Sequence, residues 1–323
     1  MVAAVAFFLY VFWSNSFIAV GYLLGSDGGG RRFGWVGLTV ARFLPASLIC
    51  AGYCLGWRRA ESWAILRTHW ARVAVCSALA VPGYNFALYY GQQHGVAAPI
   101  ASLLTTLVPL FLLILSALLL GEQLTPRRIV GLAIALGGML IVSQARVAAA
   151  AAYPLMVAIT ALAPLGWSLF SVLSKPMTER YSPVLWTFLV LAVAAPPLLL
   201  AVPFTGGPEM ARLDAAGWFA VLFLSLLCTV LGFALWNWLL GQLPASSVGF
   251  FVFLNPPMTT LSKLLLALAL PATFSFAIAS REWIGGAVTL AGVALALTQS
   301  EAARSRQSTA VGVQPGAGAL PGA

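Results

Sequence analysis

Apolar residues run through this chain in long blocks, broken only where glycine, proline or charge intervenes. Cutting at those interruptions leaves ten segments, near 3–24, 34–57, 71–90, 96–119, 127–144, 154–174, 183–203, 217–238, 245–270 and 283–299. Several exceed the ~18 residues that mark a membrane-crossing helix. Each is about long enough to cross ~30 Å of hydrocarbon at 1.5 Å per residue, and a helix satisfies its own backbone polar groups where lipid cannot. The pattern predicts an all-α polytopic membrane protein with ten transmembrane helices. Beyond Ser300 the chain turns small, polar and rich in proline and glycine, so a disordered cytoplasmic tail is expected over 301–323.

Composition sharpens this. Of 323 residues, 61% are apolar, 12% aromatic and 8% charged, whereas soluble domains carry about 25% charged residues. A water-soluble fold is excluded. Seventeen Lys/Arg against eight Asp/Glu give a net charge of +9, but the cations are scattered between apolar runs and form no basic stripe, so nucleic acid is not an expected partner. They set orientation instead. With both termini cytoplasmic, ten cations fall at inner ends (Arg58, Arg59, Arg67, Arg72, Arg127, Arg128, Lys175, Arg180, Arg304, Arg306) and five at outer ends (Arg31, Arg32, Arg146, Arg212, Arg281). The positive-inside rule therefore favours cytoplasmic termini. The start of the chain, Val2-Ala3-Ala4-Val5, lacks the positive region of a secretory signal, and its apolar run reaches Leu24, so it is expected to stay as the first span. Cys50, Cys54, Cys76 and Cys228 all lie inside apolar segments and read as small buried hydrophobes.

The two halves repeat one another. At a single offset of 147, Phe86-Ala87-Leu88 matches Phe233-Ala234-Leu235, Ala98 matches Ala245, Leu107 matches Leu254 and Pro109 matches Pro256. Trp13-Ser14 matches Trp167-Ser168, and Gly131 with Gly137 matches Gly286 with Gly292, at offsets changed by loop length. The expected units are 1–147 and 148–300. Five spans is an odd number, so the second copy must enter the membrane from the opposite face. Inverted copies can exchange conformations and expose a midplane site to each side in turn.

The ordered pattern resembles the EamA-type members of the drug/metabolite transporter superfamily. It is carried by Trp13-Ser14-Asn15-Ser16-Phe17, Ala41-Arg42-Phe43 with Ala46, Tyr84 through Tyr90, Ala98, Leu103-Leu104, Pro109, Leu120-Gly121-Glu122-Gln123-Leu124-Thr125, Gly131 and Gly137-Gly138. The resemblance covers the chain up to Gln299. It implies two inverted five-helix copies around a central cavity, a small-molecule metabolite as substrate, and a place in the cell inner membrane, often with outward transport. The second half departs from the pattern. Where the family often repeats Leu-Gly-Glu after the ninth helix, this chain reads Leu268-Ala269-Leu270-Pro271, followed by a longer stretch up to Arg281-Glu282.

Two cations stand inside spans. Arg42 lies about eight residues into the second, or roughly 12 Å of helix, and Lys263 lies in the ninth at the position matched by Ser116. Intramembrane ionisable residues default to a functional reading because each is costly in lipid; packing against carbonyls or snorkelling is the structural alternative. No acid falls in the interior of a span. Arg42 and Lys263 are therefore expected to favour a carboxylate-bearing solute, such as an amino acid or organic anion, and a proton relay through a buried carboxylate is not expected. Asn15 is a candidate substrate contact or helix–helix bond, with Ser14 and Ser16 as helix glue. Tyr84, Asn85 and Tyr89, with Trp236 and Asn237 in the second half, offer aromatic faces and polar tips for a cavity wall, while Tyr90 and Trp238 suit an interfacial belt. Pro109, Pro256 and Pro257 interrupt matched helices and suit a gate or a static kink. Glu122 is expected to cap the turn before the fifth helix.

An intramembrane enzyme would need a nucleophile with a base, or metal ligands. The two histidines, His69 and His94, are expected in loops, and no H-E-x-x-H or paired aspartates occur. The expectation is a transporter without metal or cofactor, working in the lipid bilayer as a monomer or homodimer. A channel or a non-transporting scaffold is the alternative.

Overall fold

The computed structural model describes residues 1–25, 30–96, 98–150, 153–255, 258, 261–262, 264–265 and 280–311. Among them every regular element is helical. Seven helical rods are long and apolar enough to cross a membrane: Val2–Leu24, Trp35–Gly56, Arg59–Gln93, Ile100–Leu120, Pro154–Arg180, Pro183–Ala201 and Ala215–Gln242. Two shorter apolar helical stretches, Ala245–Leu254 and Trp283–Thr298, accompany them.

Most rods are not single α-helices. We label their regular pieces α1 (Val2–Leu24), α2 (Trp35–Gly56), α3 (Arg59–Ala78), α4 (Tyr84–Gln93), α5 (Ala98–Thr105), α6 (Val108–Leu120), α7 (Pro126–Ala150), α8 (Pro154–Thr160), α9 (Leu162–Arg180), α10 (Pro183–Val193), α11 (Ala195–Ala201), α12 (Gly207–Met210), α13 (Ala215–Leu222), α14 (Gly232–Gln242), α15 (Ala245–Phe250) and α16 (Ser280–Val311).

The irregularities recur at matched places. A π-helical turn, Leu79–Gly83, joins α3 to α4, where Pro82 cannot donate its backbone bond. A π-helical stretch, Phe223–Leu231, joins α13 to α14. At the offset of 147 read from the sequence, 79–83 falls on 226–230, inside that second stretch. Likewise α5 and α6 are separated by tight turns, Thr106 N–H to Leu103 O at 3.0 Å and Leu107 N–H to Leu104 O at 3.1 Å. At the matched place α15 ends in a 3₁₀ turn, Phe251–Leu254. In the first half the break sits directly ahead of Pro109, at the second position of α6. Pro256 and Pro257 lie outside the described residues.

α7 and α16 pack antiparallel along a seam of small residues. A Cβ on Gly131 would lie 2.7 Å from the Gly292 carbonyl oxygen, and one on Gly138 would lie 2.6 Å from that of Gly285. Small residues let membrane helices approach closely enough for backbone contact. Thr289 Oγ1 reinforces the seam by donating to Ala135 O at 3.3 Å.

Two elements differ from the sequence expectation. The stretch around His69 is helical and not a loop: α3 begins at Arg59 and is irregular at His69, where φ is −127°. The His69 ring lies 3.2 Å from the Tyr181 hydroxyl. At the other end α16 runs to Val311, so the first part of the expected disordered tail, 301–311, is helical, while 312–323 fall outside the described residues. Ala302, Ala303 and Arg304 are good helix formers that continue an established helix without a new nucleus.

The buried centre is aromatic. Trp13 meets Trp167 edge-on with ring centroids 5.4 Å apart, and Trp236 and Phe233 close the cluster at 5.5 and 5.0 Å from Trp167. Trp13 and Trp167 are the pair matched between the halves of the sequence. Gly232 makes room for this contact, since a Cβ there would lie 2.5 Å from Trp13 Nε1. The indole N–H of Trp13 donates to Cys228 O at 2.9 Å.

Candidate functional site: a central cavity with a buried arginine

A cavity of about 60 Å³ lies between the halves. At roughly 10–15 Å³ per water it has room for a few waters, matching the polar end of a small solute. α1 contributes Trp13, Ser16, Phe17 and Val20; α2 contributes Arg42; α4 contributes Tyr84, Asn85, Leu88, Tyr89 and Gln92. Thr105 and Val108 come from the α5–α6 break, and Trp167, Phe233, Val252 and Asn255 from the second half.

Arg42 is the charged group of this lining and is 7% exposed. Its Nε donates to Thr229 Oγ1 at 2.9 Å and its Nη1 to the Tyr89 hydroxyl at 2.7 Å. Both partners are neutral. The described ion pairs, Arg58–Glu61 and Lys175–Glu179, lie elsewhere. The π-helical stretch explains how the second half reaches Arg42. Ser225 and Thr229, four apart within it, both face α2: Ser225 Oγ donates to the Arg42 carbonyl at 2.6 Å, and Thr229 Oγ1 also donates to Leu224 O at 2.9 Å. A wide turn leaves carbonyls without their usual helical donors, and side-chain hydroxyls supply them.

α4 shows the same logic. Asn85 Nδ2 donates to the carbonyls of Ala80 and Val81, in the π turn, at 3.2 and 2.9 Å. Its other end, Oδ1, is buried without a partner. Asn85, Tyr89 and Gln92 follow at four and three residues and so share one helix face. Gln92 is 5% exposed, and both its amide Nε2 and Oε1 are buried and unpartnered. Tyr84 stacks against Trp167 at 5.5 Å.

Of the residues singled out in the sequence, Arg42, Tyr84, Asn85 and Tyr89 line the cavity. Asn15 faces another way, donating to Val11 O at 2.7 Å and to Ser262 Oγ at 3.0 Å, as helix glue would. Trp236 belongs to the aromatic cluster with its indole N–H on Ser171 Oγ at 3.0 Å, and Asn237 Nδ2 donates to Phe233 O at 3.1 Å; both are fully buried away from the lining. Lys263 lies outside the described residues. Sequence reasoning passed over Gln92, although its spacing from Asn85 and Tyr89 placed it on their face. Thr229 gave no such signal, standing 187 residues from its partner.

At one end of the α6–α15 pair a second polar cluster ties the halves together. Glu122 accepts from the backbone N–H of Ala245 at 2.6 Å, from that of Ser246 at 3.2 Å and from the Ser246 hydroxyl. Arg128 donates to Ser246 Oγ at 3.0 Å and to Ser247 Oγ at 3.3 Å. Glu122 therefore caps the start of α15 and not the turn into α7, where the Thr125 carbonyl already accepts from the Arg128 N–H at 3.0 Å.

Repeated apolar rods, matched helix breaks and a buried polar cavity define a multi-pass membrane protein of the transporter class. The EamA-like transporter family matches residues 2–144 and again 154–298, and the chain belongs to it. The EamA resemblance carried by the sequence motifs is thereby established. Among relatives, a protein of Streptantibioticus cattleyicolor named a probable terminal-alkyne amino-acid exporter is 27% identical over 93% of this chain and 94% of its own. One of Salmonella typhimurium named a probable amino-acid metabolite efflux pump is 24% identical over 50% of this chain and 59% of its own. A solved crystal structure shares the fold, with a TM-score of 0.66 at 24% identity, over 94% of this chain and 98% of that one.

Proposed function

We propose that the protein is a secondary transporter of the inner (plasma) membrane that exports small carboxylate-bearing metabolites, amino acids among them, by alternating access around the central cavity. The observation that carries this is Arg42: a cation buried in the cavity and held by two neutral hydroxyls. A buried charge needs compensation, and a substrate carboxylate supplies it while bound. The names of the exporter relatives are consistent with this class of solute.

The moving scaffold is two inverted five-helix copies with both termini cytoplasmic. With α7 and the two shorter apolar stretches, the seven long rods make ten. The matched π turns, the matched breaks at 104–107 and 251–254, the antiparallel α7–α16 seam and the contact of Trp13 with its counterpart Trp167 all support that arrangement. Equivalent residues of two copies meet each other where a twofold axis passes. We assign Lys263 as a second cation for the same carboxylate, and facilitated diffusion or exchange is favoured because the cavity lining holds no carboxyl group among the described residues.

Counterflow in proteoliposomes tests the reading. Saturable exchange of a carboxylate-bearing solute, lost in Arg42→Gln with Lys263→Gln, is the expected result. Unsaturable conductance, or unaltered transport of every anionic candidate by the double variant, overturns it. Uphill transport driven by an imposed pH gradient would reverse the statement about coupling. Cysteines placed in 24–33 and 175–182 should label from opposite sides of the membrane, and labelling from one side would sink the inverted arrangement.

A further inference from the structure

We propose that the α4 amide Gln92 reads the ammonium of the substrate, so that the cavity selects zwitterionic α-amino acids over carboxylates lacking the amine. This rests on the reading of Arg42 as the carboxylate site.

The argument starts from satisfaction. Native proteins rarely leave buried polar atoms unpaired, yet Gln92 leaves both ends of its amide so and Asn85 leaves its carbonyl. All three atoms belong to residues lining the cavity. Tyr89, which holds Arg42 through its hydroxyl, stands between them on α4. Gln92 is three residues further along and Asn85 four residues back, about 4.5 and 6 Å of helix rise. The two amides therefore flank the point where the guanidinium enters.

Chemistry decides what fits. A guanidinium binds a carboxylate but offers an ammonium nothing except repulsion. An ammonium has three donors and needs acceptors, and Gln92 Oε1 is a neutral acceptor that no described donor reaches. In an α-amino acid the two charged groups are carried by one carbon, so a carboxylate held by Arg42 brings the ammonium to Gln92 Oε1. A simple carboxylate leaves that acceptor empty. Sites built to bond a substrate N–H reject analogues without it, because the site's own polar groups stay unpaired. The apolar lining of Trp13, Phe17 and Val20 takes the side chain.

The test uses the full-length protein in liposomes, with a mixture of proteinogenic amino acids competing against their des-amino carboxylates and exchange read by mass spectrometry. Wild type should favour the amino acids by about tenfold or more. Gln92→Met, close in shape but without an amide, should lose about that factor on amino acids and leave the des-amino carboxylates unchanged. Gln92→Glu should keep the preference while lowering transport of both classes, because its carboxylate competes for Arg42, and an intact size-exclusion profile guards against misfolding. Equal transport of both classes by wild type, or an equal loss of both in Gln92→Met, or no loss, overturns the proposal. If wild type moves neither class and Arg42→Gln changes transport of no anion, the reading of Arg42 has failed as well.

Discussion

The two copies of the family domain share their backbone distortions but not their side-chain chemistry. At the offset of 147, the α4 residues Asn85, Tyr89 and Gln92 correspond to Gly232, Trp236 and Leu239 of α14. In the first copy these positions present two amides and a phenol to the cavity. In the second, Gly232 admits the Trp13 ring, Trp236 packs into the aromatic cluster and Leu239 is fully buried. The π turns and the breaks near 104–107 and 251–254 nevertheless recur. Bending is needed from both copies if each is to move against the other, whereas one solute needs its charges recognised once. On the proposed alternating-access reading, symmetry serves the motion and asymmetry the recognition.

The largest expected effect tests the shared scaffold. Gly138→Leu in α7 and Gly285→Leu in α16 each drive a side chain into a carbonyl of the facing helix, at a cost of about 3 kcal/mol or more. Both should lower thermal stability in detergent by similar amounts; a large loss from one and none from the other would break the symmetry. Arg42→Leu comes next. Removing charge-assisted bonds worth about 1.5–3 kcal/mol should weaken apparent substrate affinity by roughly 10–100-fold, and binding by thermal-shift titration checks it. Unchanged affinity would remove the recognition role from the first copy.

Glu122→Gln keeps one acceptor oxygen but gives up the charge on the α15 cap, for about 1–2 kcal/mol. The expected readout is faster hydrogen exchange at Ala245 and Ser246, with the cavity residues unaffected. The smallest effect sharpens the comparison most. Tyr89→Phe and Trp236→Phe each remove one hydrogen bond, worth about 1 kcal/mol, at matched positions. The first should raise the transport KM several-fold with little change in melting temperature, and the second should lower the melting temperature and leave KM alone. Reversed outcomes would exchange the roles assigned to the copies.

Much of this was legible in the sequence because lipid imposes a simple rule. Only a helix with an apolar surface crosses hydrocarbon cheaply, so run length alone located the rods, and an even spacing of matched residues exposed the two copies. Arg42 stood out for the same reason, as a charge where charge is expensive. Asn85 and Tyr89 were legible as polar tips on an aromatic helix. Trp236 and Asn237 carried the same surface signature, yet Trp236 packs into the aromatic cluster and Asn237 bonds the Phe233 carbonyl of its own helix, since composition does not reveal which way a buried helix face points. His69 was placed in a loop because its neighbours are polar, although polar residues at a membrane surface form helix as readily as loop. Glu122 was read as a local cap, whereas its partners lie 123 and 124 residues away.

The sequence by itself determined that this protein lives in a membrane, that it is built from two related halves and that one arginine is buried among apolar residues. Those properties follow from solvent and from local covalent order, which every residue carries with it. The tertiary structure alone decided that Arg42 meets Thr229 and Tyr89, that Gln92 faces the same cavity with its amide unpaired, and that Trp13 touches Trp167. Such pairings depend on helix rotation and on wide π turns that shift the register of all that follows, and these are settled only when the rods pack together.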